Sequence, residues 1–110
     1  MQTGESDPLR GAHRVTGMID YQEGAVVSRT ILKRPSGTIT VFAFDGGQGL
    51  GEHSTPHEAL VQVLEGEASV SIAGEAHRVR QGELILLPAD TPHAVQAAGR
   101  FKMLLVMLRS

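Results

Sequence analysis

The sequence contains no cysteine and no tryptophan among its 110 residues. Without thiols the chain has no disulfide framework, no thiolate zinc site and no cysteine nucleophile, so a bound metal would be held by nitrogen and oxygen atoms. No apolar run reaches membrane-spanning length, and the N-terminus lacks the apolar core of a signal peptide. We therefore expect a cytoplasmic protein with no membrane partner.

An excess of basic charge is also missing. The chain has 10 Lys and Arg residues against 12 Asp and Glu residues, which gives a net charge of −2 at pH 7. This balance offers no basic field to a phosphate backbone and argues against a nucleic-acid partner. The apolar content of 41% and charged content of 20% are typical of a globular domain. We interpret residues 1–14 as a flexible N-terminal arm and residues 15–110 as a single domain.

Short segments of β-branched and apolar residues recur about every 8–12 residues, with glycine or proline between them. This spacing predicts an all-β fold, either a small antiparallel β-barrel or a jelly roll. No amphipathic helix is visible. The predicted strands are Val15–Tyr21, Val26–Leu32, Thr38–Asp45, Leu60–Leu64, Ala68–Ile72, Glu75–Arg80, Leu84–Leu87, His93–Gln96 and Phe101–Leu108.

The predicted last strand, with the sequence FKMLLVML, is apolar on both faces. One face can line the interior of the domain, but the other needs a second covering layer. A homodimer would supply that layer and is the prediction we make. The alternative is that N-terminal segments of the same chain cover this face.

The stretch from Gly47 to Gly66 carries the candidate chemistry. It begins with glycines, places His53 and His57 on either side of Pro56, and passes into an apolar strand. A further histidine, His93, follows a second proline-rich turn. Imidazole is the commonest metal ligand in proteins, and its unperturbed pKa lies close to neutrality.

Side chains two or four residues apart in an extended chain point the same way, so His53 and His57 could both face the interior. Together with His93 they would form a three-nitrogen site with open positions for water or substrate, suited to Zn, Ni, Cu or Fe(II). Pro56 could bend the chain and turn His57 aside. In such a bent chain, Glu58 could hydrogen-bond to a ligating histidine without binding the metal itself. The alternative is that these histidines are solvated or locally hydrogen-bonded.

Two sets of spacings resemble the motifs of the cupin superfamily. Gly47, His53 and Gly66 fall at the intervals of its first motif, and Gly82, Pro88 and His93 at those of its second. The segments VQVLEGEA and GELILLPADTPHAV are similar to those of a small single-domain cupin of the conserved-barrel type. The resemblance implies a cupin β-barrel.

Departures from those motifs bear on function. In metal-binding cupins the ligands are two histidines and a carboxylate of the first motif and the histidine of the second. The matching positions here are His53, Thr55, Ala59 and His93, so two of the four ligands are replaced. In addition, Asp90 stands at a glycine of the second motif and Ala97 at its asparagine.

Two functions follow as hypotheses. The first is a small-molecule binding protein in which His53 and His93 orient a ligand within a pocket of aliphatic residues, with a divalent metal as a possible addition. The alternative is a metal-dependent enzyme of the dioxygenase, isomerase or lyase type, whose catalytic residues the sequence does not identify. No nucleophilic serine lies at a recognisable elbow, so a covalent mechanism has no support. The predicted pocket residues are Val61, Val63, Val70, Ile72 and the apolar residues of the last strand.

Overall fold

The computed structural model describes residues 9–109. Within this range the chain forms a short 3-10 helix, Val15–Met18, followed by strands alone. The strands are β1 (Val26–Arg34), β2 (Gly37–Phe44), β3 (Gly49–His53), β4 (Glu58–Glu65), β5 (Glu67–Ile72), β6 (Glu75–Arg80), β7 (Leu84–Leu87), β8 (His93–Gln96) and β9 (Phe101–Leu108).

The strands form two antiparallel sheets. One has five strands in the order β1-β2-β9-β4-β7, and the other has four in the order β3-β8-β5-β6. The sequence-based prediction of an all-β jelly roll is confirmed. Among the described strands no ladder joins the two sheets, so the architecture is a sandwich of two sheets and not a closed barrel.

The main core lies between the sheets. Alternate residues of each strand point inward, as Ala59, Val61 and Val63 do on β4. Phe44 and Phe101 stack at the centre with ring centroids 4.4 Å apart. The buried members are Phe44, Ala59, Val61, Val63, Ala68, Val70, Val79, Leu87, Val95, Ala97, Phe101 and Met103.

A second cluster covers part of the outer face of the five-stranded sheet. Ile19 of the N-terminal segment, residues 15–21, packs with Val41 and Ala43 of β2 and with Ile31 of β1. Both faces of β2 are therefore covered. Three hydrogen bonds also hold the segment to the sheet. Lys102 Nζ donates to the Thr16 carbonyl at 2.7 Å, and Arg29 Nη1 donates to the Met18 carbonyl at 3.1 Å. The Tyr21 hydroxyl donates to Glu65 Oε2 at 2.6 Å.

The main departures from prediction lie before β4. The strand predicted at Val15–Tyr21 is wrong, because this segment begins with the 3-10 helix Val15–Met18 and crosses the sheet as a cover. The stretch Gly49–His53, where no strand was predicted, is strand β3. Glycine weakens a strand locally, but pairing with β8 outweighs that cost.

The predicted N-terminal arm spans the limit of the description. Residues 1–8 lie outside the described residues, and residues 9–14 are exposed and form no helix or strand. His13 lies in this part, where its ring donates from Nε2 to the Arg10 carbonyl at 2.8 Å. No helix within residues 9–109 is long and apolar enough to cross a membrane.

Candidate functional site

His53 and His93 are neighbours across two paired strands. His53 ends β3, His93 begins β8, and the two residues face each other in the antiparallel register. Directly opposite residues place their side chains on the same side of a sheet. The imidazole rings accordingly meet edge to face, with centroids 4.5 Å apart and planes at 68°.

The backbone fixes the tautomer of both imidazoles. His53 Nδ1 donates to the Gly51 carbonyl at 2.8 Å, and His93 Nδ1 donates to the Thr91 carbonyl at 3.1 Å. A carbonyl oxygen only accepts, so in the neutral ring the proton lies on Nδ1 and the Nε2 lone pair stays free. Within residues 9–109 no hydrogen bond reaches Nε2 of His53 or His93.

The two rings differ in exposure. His53 is exposed, whereas His93 retains only 7% of its accessible surface. Burial lowers the pKa of His93 below its ordinary value of 6.5, the nearby His53 lowers it further, and the hydrogen bond to Thr91 partly opposes both effects. His93 is therefore a neutral imidazole at pH 7.

A cavity of about 110 Å³ lies between the sheets beside the two histidines. Its walls are almost wholly apolar, and its polar side chains are the two histidines and Thr55. The cavity therefore combines a hydrophobic volume with polar groups at one place, which is the usual composition of a small-molecule site. The lining residues are Leu50, His53, Thr55, Ala59, Val61, Leu87, His93, Val95, Met103, Leu105 and Met107.

His57 does not join the other two histidines. Residues 54–57 leave the extended conformation of β3, with a bend at 56 and 57, so the shared facing predicted for positions 53 to 59 is interrupted. Thr55 Oγ1 accepts from the His57 amide and donates to the His57 carbonyl, both at 3.1 Å. His57 is not among the residues that line the cavity. Glu58 opens β4 on the exposed side.

The donor set at the cavity is too small for a resident metal as it stands. His53 and His93 each present one nitrogen, the Thr55 hydroxyl is used in its own turn, and Ala59 has no donor atom. Catalytic zinc sites have three protein ligands. Within residues 9–109 no group of three or more His, Cys, Asp or Glu side chains is arranged to hold a metal ion. The three-histidine metal site stays a prediction.

The sequence identified only part of the cavity wall. Val61 and the inward residues of β9 line it, as expected, but Val63 and Val70 are fully buried in the core and Ile72 packs against that core. Thr55 and Ala59, singled out as replaced ligands, do lie in the wall. Sequence analysis missed Leu50, Leu87 and Val95. Alternation with the exposed Leu84 and Leu86 marks Leu87 as inward, and pairing with β8 was needed to place Leu50.

Asp90 stands where the second motif has a glycine, and the backbone explains why aspartate is accepted there. Asp90 has a φ of +58°, which lies in the left-handed region where glycine is favoured. Aspartate tolerates this region better than most residues, so the turn is kept without glycine. The Asp90 amide donates to the Thr55 carbonyl at 2.7 Å and ties this corner to the loop that follows β3.

Comparison with known proteins agrees with the architecture. The family model of the cupin domain matches residues 40–108, which is more than half of the chain. This chain belongs to the cupin family. A search of curated proteins found no match.

Solved structures from several bacteria share the fold. A conserved protein of unknown function from Streptococcus pyogenes is 38% identical over 92% of this chain and 89% of that chain, with a TM-score of 0.87. A cupin 2 conserved barrel domain protein from Leptotrichia buccalis is 38% identical over 86% of this chain and 46% of that one, with a TM-score of 0.83. A cupin superfamily protein from Desulfitobacterium hafniense is 25% identical over 96% of both chains, with a TM-score of 0.88.

Proposed function

We propose that this cupin binds a small, mainly apolar molecule that carries a hydrogen-bond donor, such as an alcohol or a phenol. The observation that carries the proposal is the pairing of the apolar cavity with two imidazoles whose Nε2 atoms are free. Each Nε2 can accept one hydrogen bond from a ligand. The aliphatic walls can remove the remainder of the ligand from water.

The size of the cavity limits the ligand. An engineered, closed cavity of about 150 Å³ is known to admit benzene. The present cavity, at about 110 Å³, is somewhat smaller, and the exposed His53 lies at its edge. A ligand would therefore place a small ring or short branched chain among Val61, Leu87 and Met103 and its donor group near the histidines.

The charge state of the site favours a neutral ligand. The buried His93 is uncharged at pH 7, and the cavity contains no Lys, Arg, Asp or Glu side chain. A carboxylate or phosphate would enter this volume without a fixed counter-charge, which is costly in an apolar environment. Neutral hydroxyl compounds suit the site better than anions.

The alternative is a metal-dependent enzyme of the dioxygenase, isomerase or lyase type. It draws on the same free Nε2 atoms and requires His57 to complete the ligand set with His53 and His93. For that the loop 54–57 must rearrange, because His57 lies outside the cavity wall. A bound divalent ion would supply Lewis acidity or activate water.

The test compares phenol with benzene as probes, with binding followed by chemical shifts of the labelled protein. Phenol is expected to bind about tenfold more tightly than benzene, because it adds one hydrogen bond to a buried imidazole. Replacement of His93 by alanine should remove that preference. His77→Ala is the matched control, since His77 lies on β6 and is not part of the cavity wall.

Elemental analysis of the untagged protein, purified without chelator, separates the two functions. Less than a tenth of an equivalent of metal, unchanged after incubation with Zn, Ni, Cu and Fe(II), agrees with the binding protein. About one equivalent that is lost in the His53→Ala, His57→Ala and His93→Ala variants would establish the metal site instead. Equal affinity of the wild-type protein for phenol and benzene would contradict the proposed ligand class.

A further inference from the structure

Met107 is a wall residue of the cavity to which the proposed binding mode gives no role. It lies on the inner face of β9, where Met103, Leu105 and Met107 are alternate residues that all line the cavity. Met103 retains only 1% of its accessible surface, whereas Met107 is half-buried. Met107 therefore lies toward the solvent side of the cavity, and Met103 lies in its depth.

The strand register gives Met107 small neighbours on both sides. It lies opposite Thr38 of β2 and Ala59 of β4. Directly opposite residues share a face of the sheet, so these three side chains stand side by side. Ala59 ends at its Cβ atom and Thr38 is short, which leaves room beside the thioether. Met103, in contrast, lies opposite the large side chain of Phe42.

This room matters because the cavity is small for a six-membered ring. Its volume is about 110 Å³, whereas a cavity of about 150 Å³ is known to admit benzene. A ring therefore enters only if a wall side chain moves. Methionine is unbranched and has three rotatable bonds, so it adapts to irregular spaces more readily than leucine or valine does. Met107 is half-buried between small neighbours and is the methionine of the wall that can move most easily.

The thioether also favours one kind of ring. Sulfur makes favourable contacts with the edge of an aromatic ring at a distance of about 5 Å. A saturated ring has no such edge and offers dispersion alone. Within residues 9–109 no Phe or Tyr side chain lines the cavity. An aromatic ring in this cavity would therefore come from a ligand.

We propose that Met107 makes the site selective for phenols over saturated alcohols of similar size. This inference rests on the proposed binding of a small hydroxyl compound and narrows its class. The ligand hydroxyl donates to Nε2 of His53 or His93, the ring lies over Ala59, and the Met107 thioether packs against the edge of the ring. Ala59 stands at the position of the carboxylate ligand in metal-binding cupins, and its small size gives the ring its space.

Methionine methyl resonances provide a direct test in the full-length protein, labelled at these methyl groups. Phenol should shift the resonance of Met107 more than that of Met103, because the ring current acts on the methyl group that it contacts. Cyclohexanol has no ring current and should leave the resonance nearly in place. Met18 is an internal control, since it packs on the outer face of the sheet, away from the cavity. The Met107→Leu spectrum identifies the resonance by its absence.

Replacement of the sulfur atom tests its contribution to affinity. The wild-type protein should bind phenol about fivefold more tightly than cyclohexanol, and Met107→Leu should lower this ratio about threefold. The exchange nearly conserves volume, so the fold should tolerate it. Met103→Leu is the matched control, because it removes a thioether from the deep wall beside Phe42, and it should change the ratio less than twofold. Phenol is also the stronger hydrogen-bond donor, but this advantage is common to all three proteins.

An unchanged ratio in Met107→Leu, or a Met107 methyl resonance that phenol does not shift, overturns the inference. Its failure can be told apart from failure of the proposed function. A protein that prefers phenol to benzene but binds phenol and cyclohexanol equally keeps the proposed function and loses the selectivity assigned to Met107. Equal binding of phenol and benzene overturns the hydroxyl contact, and the shift of the Met107 methyl resonance by benzene then decides the ring contact separately.

Discussion

His53 and His93 each donate Nδ1–H to the carbonyl oxygen two positions earlier in the chain, Gly51 for one and Thr91 for the other. Two segments that are 40 residues apart in sequence thus present their imidazoles in the same tautomer, with ring centroids 4.5 Å apart. The β3–β8 pairing produces this convergence. The polar end of the cavity is therefore set by backbone geometry and not by side-chain partners.

The burial of His93 predicts a pH-dependent stability. Because folding lowers the pKa of His93 below 6.5, the unfolded chain binds the proton more tightly than the folded chain does. This contribution to the free energy of unfolding is full above the unfolded pKa and is lost as pH falls toward the folded pKa. His93→Gln should flatten the decline that denaturant unfolding records between about pH 7 and pH 5.

The control for this measurement is His77→Gln. This change removes a histidine from β6 and leaves the cavity intact. It should reproduce the decline of the wild-type protein. An unchanged decline in the His93→Gln variant would show that His93 takes up its proton as readily in the folded protein as in the unfolded chain.

Gly66 is expected to tolerate no side chain. Its φ is +78°, and an added Cβ would meet the Arg100 carbonyl and lie 2.8 Å from Phe101 Cβ. Gly82 has a similar φ of +86° but open space around it. Gly82→Ala should therefore lower the free energy of unfolding by about 1 kcal/mol, and Gly66→Ala by about 2–4 kcal/mol. Equal losses in denaturant unfolding would show that Phe101 moves aside without penalty.

Asp90 and Ala73 are positions where a change to glycine is expected to stabilise the protein. Both are non-glycine residues with positive φ, +58° and +52°. Asp90→Gly and Ala73→Gly should each raise the free energy of unfolding by up to about 1 kcal/mol, because glycine adopts this conformation without strain. Ala76→Gly, in strand β6, should lower it instead. A loss of stability in Asp90→Gly would mean that the aspartate side chain itself supports the corner.

Most of the fold could be predicted from sequence because its signals are local. The segment Glu75–Arg80 lies between two turns, and its side chains alternate in facing. The strand there has the predicted bounds. The strand β3 could not be predicted in this way, since Gly49 and Gly51 disfavour a strand and only the partner β8 supplies its hydrogen bonds. The 3-10 helix Val15–Met18 was missed because its apolar residues pack against the sheet and not within it.

The candidate site shows a similar limit. The motif spacing identified His53 and His93, because each lies at a junction between a turn and a strand. The prediction that His57 faces the interior assumed an extended chain through Pro56. The chain bends at residues 56 and 57, so this assumption does not hold. Leu50 and Val95 line the same cavity because their strands pair, which no local pattern encodes.

Lys102 and Lys33 are the two lysines of the sequence. Lys33 is exposed, whereas Lys102 retains 7% of its surface, and its ammonium group lies beneath the N-terminal segment, bonded to the Thr16 carbonyl and 4.9 Å from the centre of the Tyr21 ring. An amine-directed reagent reaches Lys33 directly but reaches Lys102 only after the segment has lifted from the sheet. The rate of acylation at Lys102, divided by the rate at Lys33, therefore reports how often that segment opens.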